Sequence, residues 1–184
     1  MCGRQHRSNQ LRNRFSAAWP CTRRSVRVSV ILARDQALDE PRRRTDVTAL
    51  LASIVDDMAD IGLPVTFAAT DPIVIECQPT ALRRALTNLL DNALKYGKSA
   101  SASIATTPRG VTMMITDQGP GIPETELVRV KEPFYRLEQS RSRDTGGIGL
   151  GLAIAQAIVA THGGTLVLEN RPEGGLCAAV TLPC

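Results

Sequence analysis

Residues 85–96 read A-L-T-N-L-L-D-N-A-L-K-Y, and this segment decides how the chain is interpreted. Apolar residues recur through it at steps of three and four, the period of a helix with one buried face. Asn88, Asn92 and Lys95 fall at i, i+4 and i+7, so they share one face of that helix. An amide oxygen suits a hard cation and an ammonium group attracts phosphate, although a solvated helix face also fits this stripe.

Two later segments place glycine turns beside predicted elements. Residues 111–121 read V-T-M-M-I-T-D-Q-G-P-G, an alternating strand that ends at Asp117 and enters a turn. Residues 145–152 read T-G-G-I-G-L-G-L and lead into an apolar helix. Glycines let the backbone approach a ligand, and N–H groups at a helix start can bind phosphate. Such a loop is equally compatible with a simple tight turn.

The order and spacing of these segments resemble a known set of sequence boxes. N-L-L-D-N-A-L-K-Y, D-Q-G-P-G-I-P, E-P-F-Y-R and G-G-I-G-L-G-L are similar to the N, G1, F and G2 boxes of sensor histidine kinases. These boxes belong to the catalytic ATP-binding domain of two-component kinases, a member of the GHKL superfamily. The resemblance covers residues 46–183. It implies a Bergerat-type ATP-binding fold, with ATP and Mg²⁺ as cofactors.

The hydrophobic pattern of the whole chain predicts an α+β domain. Helices are expected from an N-cap at Asp46 to Gly62, from Pro79 through the opening segment, and over 146–160. Residues 123–131 are interpreted as a short helical segment. Strands are predicted at 65–68, 73–77, 99–106, 111–116, 165–170 and 176–182. Together they predict a two-layer α/β sandwich, a mixed sheet with three longer helices on one face.

Residues 1–45 are interpreted as an Arg-rich tail and a linker, and residues 46–184 as the ATPase domain. Residues 1–34 hold eight arginines and no acidic residue, so the net charge of +4 belongs to the tail. A disordered segment fits this composition, including one made by a misplaced start or a frame slip. An arm for nucleic acid or anionic membranes and an organelle transit peptide also fit it. We expect the first, and no specific nucleic-acid partner.

The sequence predicts a cytoplasmic domain. Its apolar runs are all shorter than the roughly 18–20 residues that span a bilayer, and it has no signal-peptide core. Its five cysteines form no C-x-x-C pair and are interpreted as reduced thiols. A full-length parent protein can still be anchored in a membrane through another segment.

The resemblance implies a role for each matching residue. Asn92 matches the residue that holds Mg²⁺ against the triphosphate, and with Lys95 it forms the expected catalytic pair. Asp117 matches the carboxylate that accepts from the adenine amino group, and Thr181 the strand hydroxyl behind that aspartate. The other implied nucleotide-binding residues are Asn88, Tyr96, Gly119, Gly121, Ile122, Phe134, Arg136, Gly147, Gly149, Leu150, Gly151 and Leu152.

Residues 122–146 are expected to form a lid over the nucleotide. The segment is polar and flanked by glycines, and loops of this length in compact domains are usually lids or binding elements. Arg136, Arg141 and Arg143 would be its cations, and Phe134 would pack it onto the domain. Lys131 departs from the apolar residue usual in the family, which we expect to loosen the hinge.

The phospho-accepting histidine of these kinases has no match here. The histidines are His6 and His162, and neither lies in an H-E-x-x-T-P-like segment. The sequence therefore resembles a truncated kinase, whose acceptor hairpin and response regulator are separate partners and which is inactive without a histidine-bearing domain. His162 ends the last predicted helix and is interpreted as a structural cation at a helix C-terminus.

Three other functions are compatible with the same fold. Gyrase, MutL-type repair proteins and heat-shock chaperones place a Glu four residues before the metal Asn as a general base. Asn88 stands there, and an amide cannot take up a proton, so phosphate transfer is favoured over hydrolysis. The E-P-F-Y-R segment disfavours a serine kinase of the anti-sigma type. A non-catalytic nucleotide-binding remnant stays open because the acceptor is missing.

Overall fold

The computed structural model describes residues 40–68, 70–137 and 149–184. Within them, two 3-10 turns, Glu124–Glu126 and Arg129–Lys131, separate the fifth strand from the last helix. The helices are α1 (Val47–Asp60), α2 (Pro79–Gly97) and α3 (Gly151–Thr161). The strands are β1 (Arg43–Asp46), β2 (Val65–Ala68), β3 (Val74–Cys77), β4 (Ala100–Thr107), β5 (Gly110–Asp117), β6 (Thr165–Asn170) and β7 (Leu176–Leu182).

Five of the strands form one mixed sheet in the order β2-β4-β5-β7-β6. The β2–β4 pair is parallel and the other neighbours are antiparallel. Alternate residues of β5, namely Val111, Met113 and Ile115, are buried on one face of the sheet. The apolar sides of all three helices join them in one core. The α+β two-layer sandwich predicted from the sequence is therefore confirmed.

Helix α2 crosses this core and carries the residues of the N box. Its apolar side, including Leu82, Leu86, Leu89 and Leu90, is almost fully buried. Pro79 occupies the first turn, where its missing N–H is not needed. The helix is capped after Gly97 by Lys98, which adopts a left-handed conformation with φ of 63° and donates its N–H to the carbonyl of Leu94. Burial of the apolar side and the C-cap together fix the direction in which the polar side of α2 faces.

Strand β1 was not predicted from the sequence. It pairs antiparallel with β3, from Arg43 opposite Cys77 to Asp46 opposite Val74, and forms a small second sheet. The sequence R-R-T-D lacks the apolar alternation of a half-buried strand, so pairing rather than burial defines it. The folded unit thus includes residues previously interpreted as linker. Of the expected tail and linker, residues 1–45, the first 39 lie outside the described residues.

Two helix predictions need correction. Residues 123–131 form two 3-10 turns instead of one helical segment, with bonds such as Glu126 N–H to the Pro123 carbonyl at 2.8 Å. A segment this short gains too few bonds to nucleate an α-helix. Helix α3 begins at Gly151 because Gly149, with φ of 75°, is left-handed and cannot lie in a helix. Residues 146–148 lie outside the described residues.

In the ranges that the structure describes, none of the helices is both long and apolar enough to cross a membrane.

Candidate nucleotide-binding site

Asp117 ends strand β5 at the predicted base-binding position. Its side chain is 7% exposed, and its Oδ1 accepts hydrogen bonds from Gly119 N at 2.8 Å and Leu176 N at 3.1 Å. Its other oxygen, Oδ2, has no hydrogen-bond partner among the described residues. Two backbone donors on one oxygen fix the carboxylate plane, so the second oxygen can accept a bond from a ligand.

Gly97, the last residue of α2, packs directly on this carboxylate. A Cβ at Gly97 would lie 2.3 Å from the Cβ of Asp117 and 2.8 Å from its Cγ. Gly119 in turn packs on the end of α2, since a Cβ at Gly119 would lie 2.8 Å from the carbonyl oxygen of Tyr96. Sequence reasoning missed Gly97, because a glycine at a helix end is ordinarily read as a cap.

The β6–β7 connection also reaches this end of the site. Asn170 and Arg171 bond to the turn that follows β5, and Gly175 packs on the carbonyl of Asp117. By its sequence, the segment R-P-E-G-G predicts only a hairpin turn. Its composition carries no signal for these contacts, which join residues about 50 positions apart in the sequence.

Thr181 is not brought to Asp117. The sheet register places Thr181 opposite Thr112, and their hydroxyl oxygens are 3.0 Å apart. Thr112 lies five positions before Asp117 along β5, at the other end of the strand. The β7 residue that reaches the carboxylate is Leu176, through its backbone N–H. The role implied for Thr181 is therefore wrong, because antiparallel pairing sets its neighbours.

Asn88 and Asn92 meet the start of α3 at the opposite end of the site. A Cβ at Gly151 would lie 3.4 Å from Asn92 Nδ2 and 3.7 Å from Asn88 Oδ1. Within the described part of the chain, Asn88 Nδ2 is buried and has no hydrogen-bond partner. Buried donors are almost always paired, so this nitrogen beside a helix start is a position where the acceptor oxygen of a ligand would fit. Leu150 and Leu152 flank Gly151 and pack against the core.

Lys95 and Tyr96 complete the polar side of α2. The Lys95 ammonium lies 5.1 Å from the centroid of the Tyr96 ring, a cation–π distance. Tyr96 is 43% exposed. The predicted stripe of two amides and one ammonium lies on one face of α2, where all three residues are half-buried and the adjoining Tyr96 is exposed.

The F box and the G2 box meet through their backbones. Phe134 N donates to the carbonyl of Gly149 at 2.9 Å, and Phe134 has φ of 67°, rare for a residue with a side chain. A Cβ at Gly149 would lie 3.1 Å from the Phe134 Cα. Arg136 is half-buried. The predicted lid residues Gly147, Arg141 and Arg143 lie outside the described residues.

Tyr135 ties the F box to the 3-10 turns. Its hydroxyl donates to the Glu126 carboxylate, and the Arg129 guanidinium lies 4.5 Å from its ring centroid. The hydrogen bond to Glu126 raises the pKa of Tyr135. Sequence reasoning assigned this tyrosine no role.

His162 is structural, as expected, but not as a cation. It is 3% exposed, its Nε2 accepts from Gln78 N at 3.0 Å, and its Nδ1 donates to the carbonyl of Ile158 at 2.8 Å. A backbone N–H can only donate, so Nε2 carries no hydrogen and the ring is neutral. His162 thus joins the end of α3 to the start of α2.

The two ends of the site fit a nucleotide. One end offers a fixed carboxylate with a free oxygen, and the other offers an orphaned amide beside a helix start. Together with a five-stranded mixed sheet covered by helices on one face, this defines a nucleotide-binding domain of the two-layer α/β type.

The sequence of residues 77–184 matches the family described as histidine kinase-, DNA gyrase B-, and HSP90-like ATPase. This is more than half of the chain, so the protein belongs to that family. It is 39% identical over 159 residues to sensor histidine kinase GtrS of Pseudomonas aeruginosa, covering 86% of this chain and 32% of GtrS. It is 37% identical over 128 residues to the histidine-protein kinase BaeS of Escherichia coli, covering 68% of this chain and 27% of BaeS. The chain spans about a third of these relatives or less.

Solved structures agree with this assignment. The ATP-binding domain of PrrB from Mycobacterium tuberculosis superposes with a TM-score of 0.65 at 32% identity, covering 78% of this chain and 98% of that one. The histidine kinase domain of the E. coli osmosensor EnvZ gives 0.61 at 31% identity, covering 79% and 90%. The predicted resemblance to the ATP-binding domain of sensor histidine kinases is therefore confirmed.

Proposed function

We propose that this domain binds Mg·ATP and transfers the γ-phosphate to a histidine on a separate dimerisation domain, in cytoplasmic two-component signalling. A response regulator would then take the phosphate from that histidine. The observation that carries the proposal is a pair of separated ligand-ready groups, the Asp117 carboxylate beside Gly97 at the end of α2 and the Asn88 amide near the middle of that helix. Asn88 and Gly97 are nine residues apart on α2, about 14 Å along the helix axis. A nucleotide needs two such separated contacts, one for its base and one for its phosphates.

Asp117 supports adenine as the base. Its Oδ2 can accept from an exocyclic amino group, whereas the corresponding carbonyl of guanine would face the carboxylate oxygen and be repelled. The carboxylate cannot turn to relieve this, because its Oδ1 holds two backbone N–H groups. We therefore expect ATP to be preferred over GTP, and Asp117→Asn to weaken ATP far more than it changes folding.

The phosphate end supports transfer rather than hydrolysis. The Asn88 amide can donate to a phosphate oxygen, which would satisfy its buried nitrogen, and Lys95 adds a positive charge. Asn92 would offer its amide oxygen to Mg²⁺, which prefers oxygen ligands and keeps several waters and phosphate oxygens around it. Asn88 cannot accept a proton from water, so it cannot serve as the general base of an ATPase.

A reconstituted transfer assay tests the proposal. The chain is mixed with γ-labelled ATP, Mg²⁺ and a separately produced dimerisation hairpin of a related sensor kinase, and label on the hairpin is measured. We expect transfer by the unmodified chain and a loss of about a hundredfold or more in Asn92→Asp, which adds charge beside the phosphates. ATP binding without transfer to any of several hairpins would favour the non-catalytic remnant. Absence of ATP binding by the intact chain would refute both.

A further inference from the structure

We propose that the β6–β7 hairpin clamps the base-binding turn into shape, and that Asn170 is the positioning residue that sets how tightly adenine is held. The base-binding turn is residues 117–122, and the hairpin is residues 170–176. This inference rests on the proposed function, since the ligand of the turn is the base of ATP. Asn170 acts through the turn and is not itself expected to touch nucleotide.

Asn170 holds one end of the turn with both halves of its amide. Its Oδ1 accepts from Ile122 N at 2.8 Å, and its Nδ2 donates to the carbonyl of Ile122 at 2.6 Å. The side chain thus bonds both backbone groups of one residue, as a neighbouring strand would. These two bonds fix the peptide groups where the chain leaves the turn.

The other end of the turn is held by three further hairpin residues. Arg171 Nη1 donates to the Asp117 carbonyl at 3.0 Å, and Leu176 N donates to the Asp117 carboxylate at 3.1 Å. Gly175 is packed so closely that a Cβ there would lie 2.0 Å from the Asp117 carbonyl oxygen. The hairpin therefore grips both ends of the base-binding turn, 117 and 122.

Gly121 shows that the turn and Asn170 are fitted to each other. Gly121 is left-handed, with φ of 72°, and a Cβ there would lie 2.6 Å from Asn170 Oδ1. A side chain at Gly121 would have to displace the amide of Asn170. The contact between Gly121 and the Asn170 amide therefore requires a glycine, and a substitution of Gly121 should disturb the clamp as a substitution of Asn170 does.

The clamp matters for binding because a turn that is already ordered loses less entropy when the ligand arrives. If Asn170 is removed, Ile122 loses both of its partners and the turn must be ordered by the nucleotide. The affinity loss should then be the same for every adenine nucleotide, whatever its number of phosphates. A role in phosphate binding would instead affect ATP more than AMP.

Asn170→Ala tests the clamp, with Glu169→Ala as the matched control on an exposed neighbouring residue. Dissociation constants for ATP, ADP and AMP are measured at a temperature where both variants are folded. Loss of two hydrogen bonds predicts binding about 5- to 30-fold weaker in Asn170→Ala, by one common factor. Glu169→Ala should bind like the unmodified chain. Affinities within twofold of the control would overturn the proposal.

Amide hydrogen exchange separates the clamp from a general loss of stability. In Asn170→Ala without nucleotide, the Ile122 amide should exchange at least about tenfold faster, while the Ile115 amide in the centre of β5 keeps its rate. Equal acceleration at both amides would mean that Asn170 only stabilises the fold. An unchanged Ile122 amide would mean that the hairpin does not hold the turn.

A double-mutant cycle with Gly121→Ala tests the direct contact. Gly121→Ala should weaken ATP less in the Asn170→Ala background than alone, because the obstructing amide is gone and only the backbone strain is left. Equal losses in both backgrounds would show that the two residues do not interact.

These experiments also separate the inference from the proposed function. If the unmodified chain binds no adenine nucleotide, the proposed function fails, and exchange at Ile122 still decides whether the clamp exists. If the chain binds ATP and Asn170→Ala binds it equally well, only the clamp is refuted.

Discussion

The base end and the phosphate end of this site differ in how complete they are without a ligand. At the base end, Asp117 and the turn behind it already have backbone and side-chain partners, and Gly97 packs on them without a gap. At the phosphate end, Asn88 has a buried amide nitrogen without a partner in the described residues, and Gly151 leaves room for a methyl group. The contacts at the base end therefore contribute to the stability of the fold, whereas at the phosphate end a polar group has no partner among the described residues.

This difference has a thermodynamic consequence. A buried donor without a partner costs about 1–3 kcal/mol, and a ligand that supplies the acceptor recovers it. Proteins commonly carry such local instability at functional sites and offset it elsewhere. Adding bulk where the base end is closely packed, as at Gly97, should therefore affect folding and binding together, whereas substitutions at the phosphate end should separate them.

The largest expected effect comes from exchanging one glycine at each end for alanine. Gly97→Ala should destabilise the fold by about 3 kcal/mol and abolish ATP binding, because its Cβ would lie 2.3 Å from the Cβ of Asp117 on a central strand. Gly151→Ala should keep or slightly raise the stability, since alanine favours a helix, but weaken ATP about tenfold by filling the space beside Asn88. Thermal unfolding and ATP titration measure both.

Gly62→Ala is the control for glycine replacement as such. Gly62 is left-handed with φ of 83°, yet nothing lies within 4 Å of a Cβ there. It should lose about 1 kcal/mol of stability through backbone strain and keep its ATP affinity. If Gly97→Ala and Gly151→Ala behave alike in both measurements, the two ends are not built differently.

A smaller effect is expected when the orphaned amide is replaced. Asn88→Leu, which keeps the branching and the number of side-chain heavy atoms, should raise the free energy of unfolding of the nucleotide-free protein by about 1 kcal/mol, because a buried unpaired donor is removed. The same variant should bind ATP about tenfold more weakly while its affinity for adenosine stays unchanged. Chemical denaturation and nucleotide titration measure the two quantities.

Gln156→Leu is the matched control, because Gln156 Oε1 is also buried without a partner in the described residues. It should gain stability without losing ATP affinity. A drop in the stability of Asn88→Leu would mean that water or a polar neighbour already satisfies the Asn88 amide, and the contrast between the ends would weaken.

The smallest effect concerns Glu40, which caps α2 far from both ends. Burial acts to raise the pKa of Glu40, but hydrogen bonds from Thr80 N and Ala81 N, each 2.9 Å, outweigh it and the pKa is lowered from 4.5. A lowered folded-state pKa gives stability that is present above pH 4.5 and is lost as the pH falls through the lower value.

Glu40→Gln should therefore cost about 1 kcal/mol near pH 7, a typical helix-cap effect, and less near pH 3. ATP and adenosine affinities at neutral pH should be equal to those of the unmodified chain, since both ends keep their contacts. Denaturant unfolding between pH 3 and pH 7 provides the measurement. A variant that loses the same stability at every pH would show that the Glu40 charge is not involved.

The pattern of neighbouring residues was sufficient to predict secondary-structure elements and their caps. The alternation of 165–170 and 176–182 predicted β6 and β7 with the bounds that the structure gives. Asp46 was correctly expected to cap α1, where its Oδ1 accepts from Ala49 N at 3.0 Å. The four boxes predicted the fold family and the face of α2 that carries Asn88 and Asn92.

Local pattern failed wherever a contact depends on how the strands pair. The role given to Thr181 was wrong because the register of β7 on β5 places it beside Thr112. Gly97, Asn170 and Arg171 were overlooked, since each looks like an ordinary cap or turn residue until the sheet brings it to the base-binding turn. The roles of the other predicted site residues toward a nucleotide, those of Asn88, Asn92, Lys95, Asp117 and Phe134 among them, remain predictions.

The sequence alone determined the periods of the helices and strands, the order of the boxes and the chemical groups available for a nucleotide. These depend on side chains within a few positions of one another, so the chain reveals them without being folded. Only the tertiary structure decided the register of the sheet, the neutral form of His162 and the grip of the hairpin on the turn. The bond between Gln78 and His162 and the contacts of the hairpin with the turn join residues 48 to 84 positions apart, and no local pattern records such a pairing.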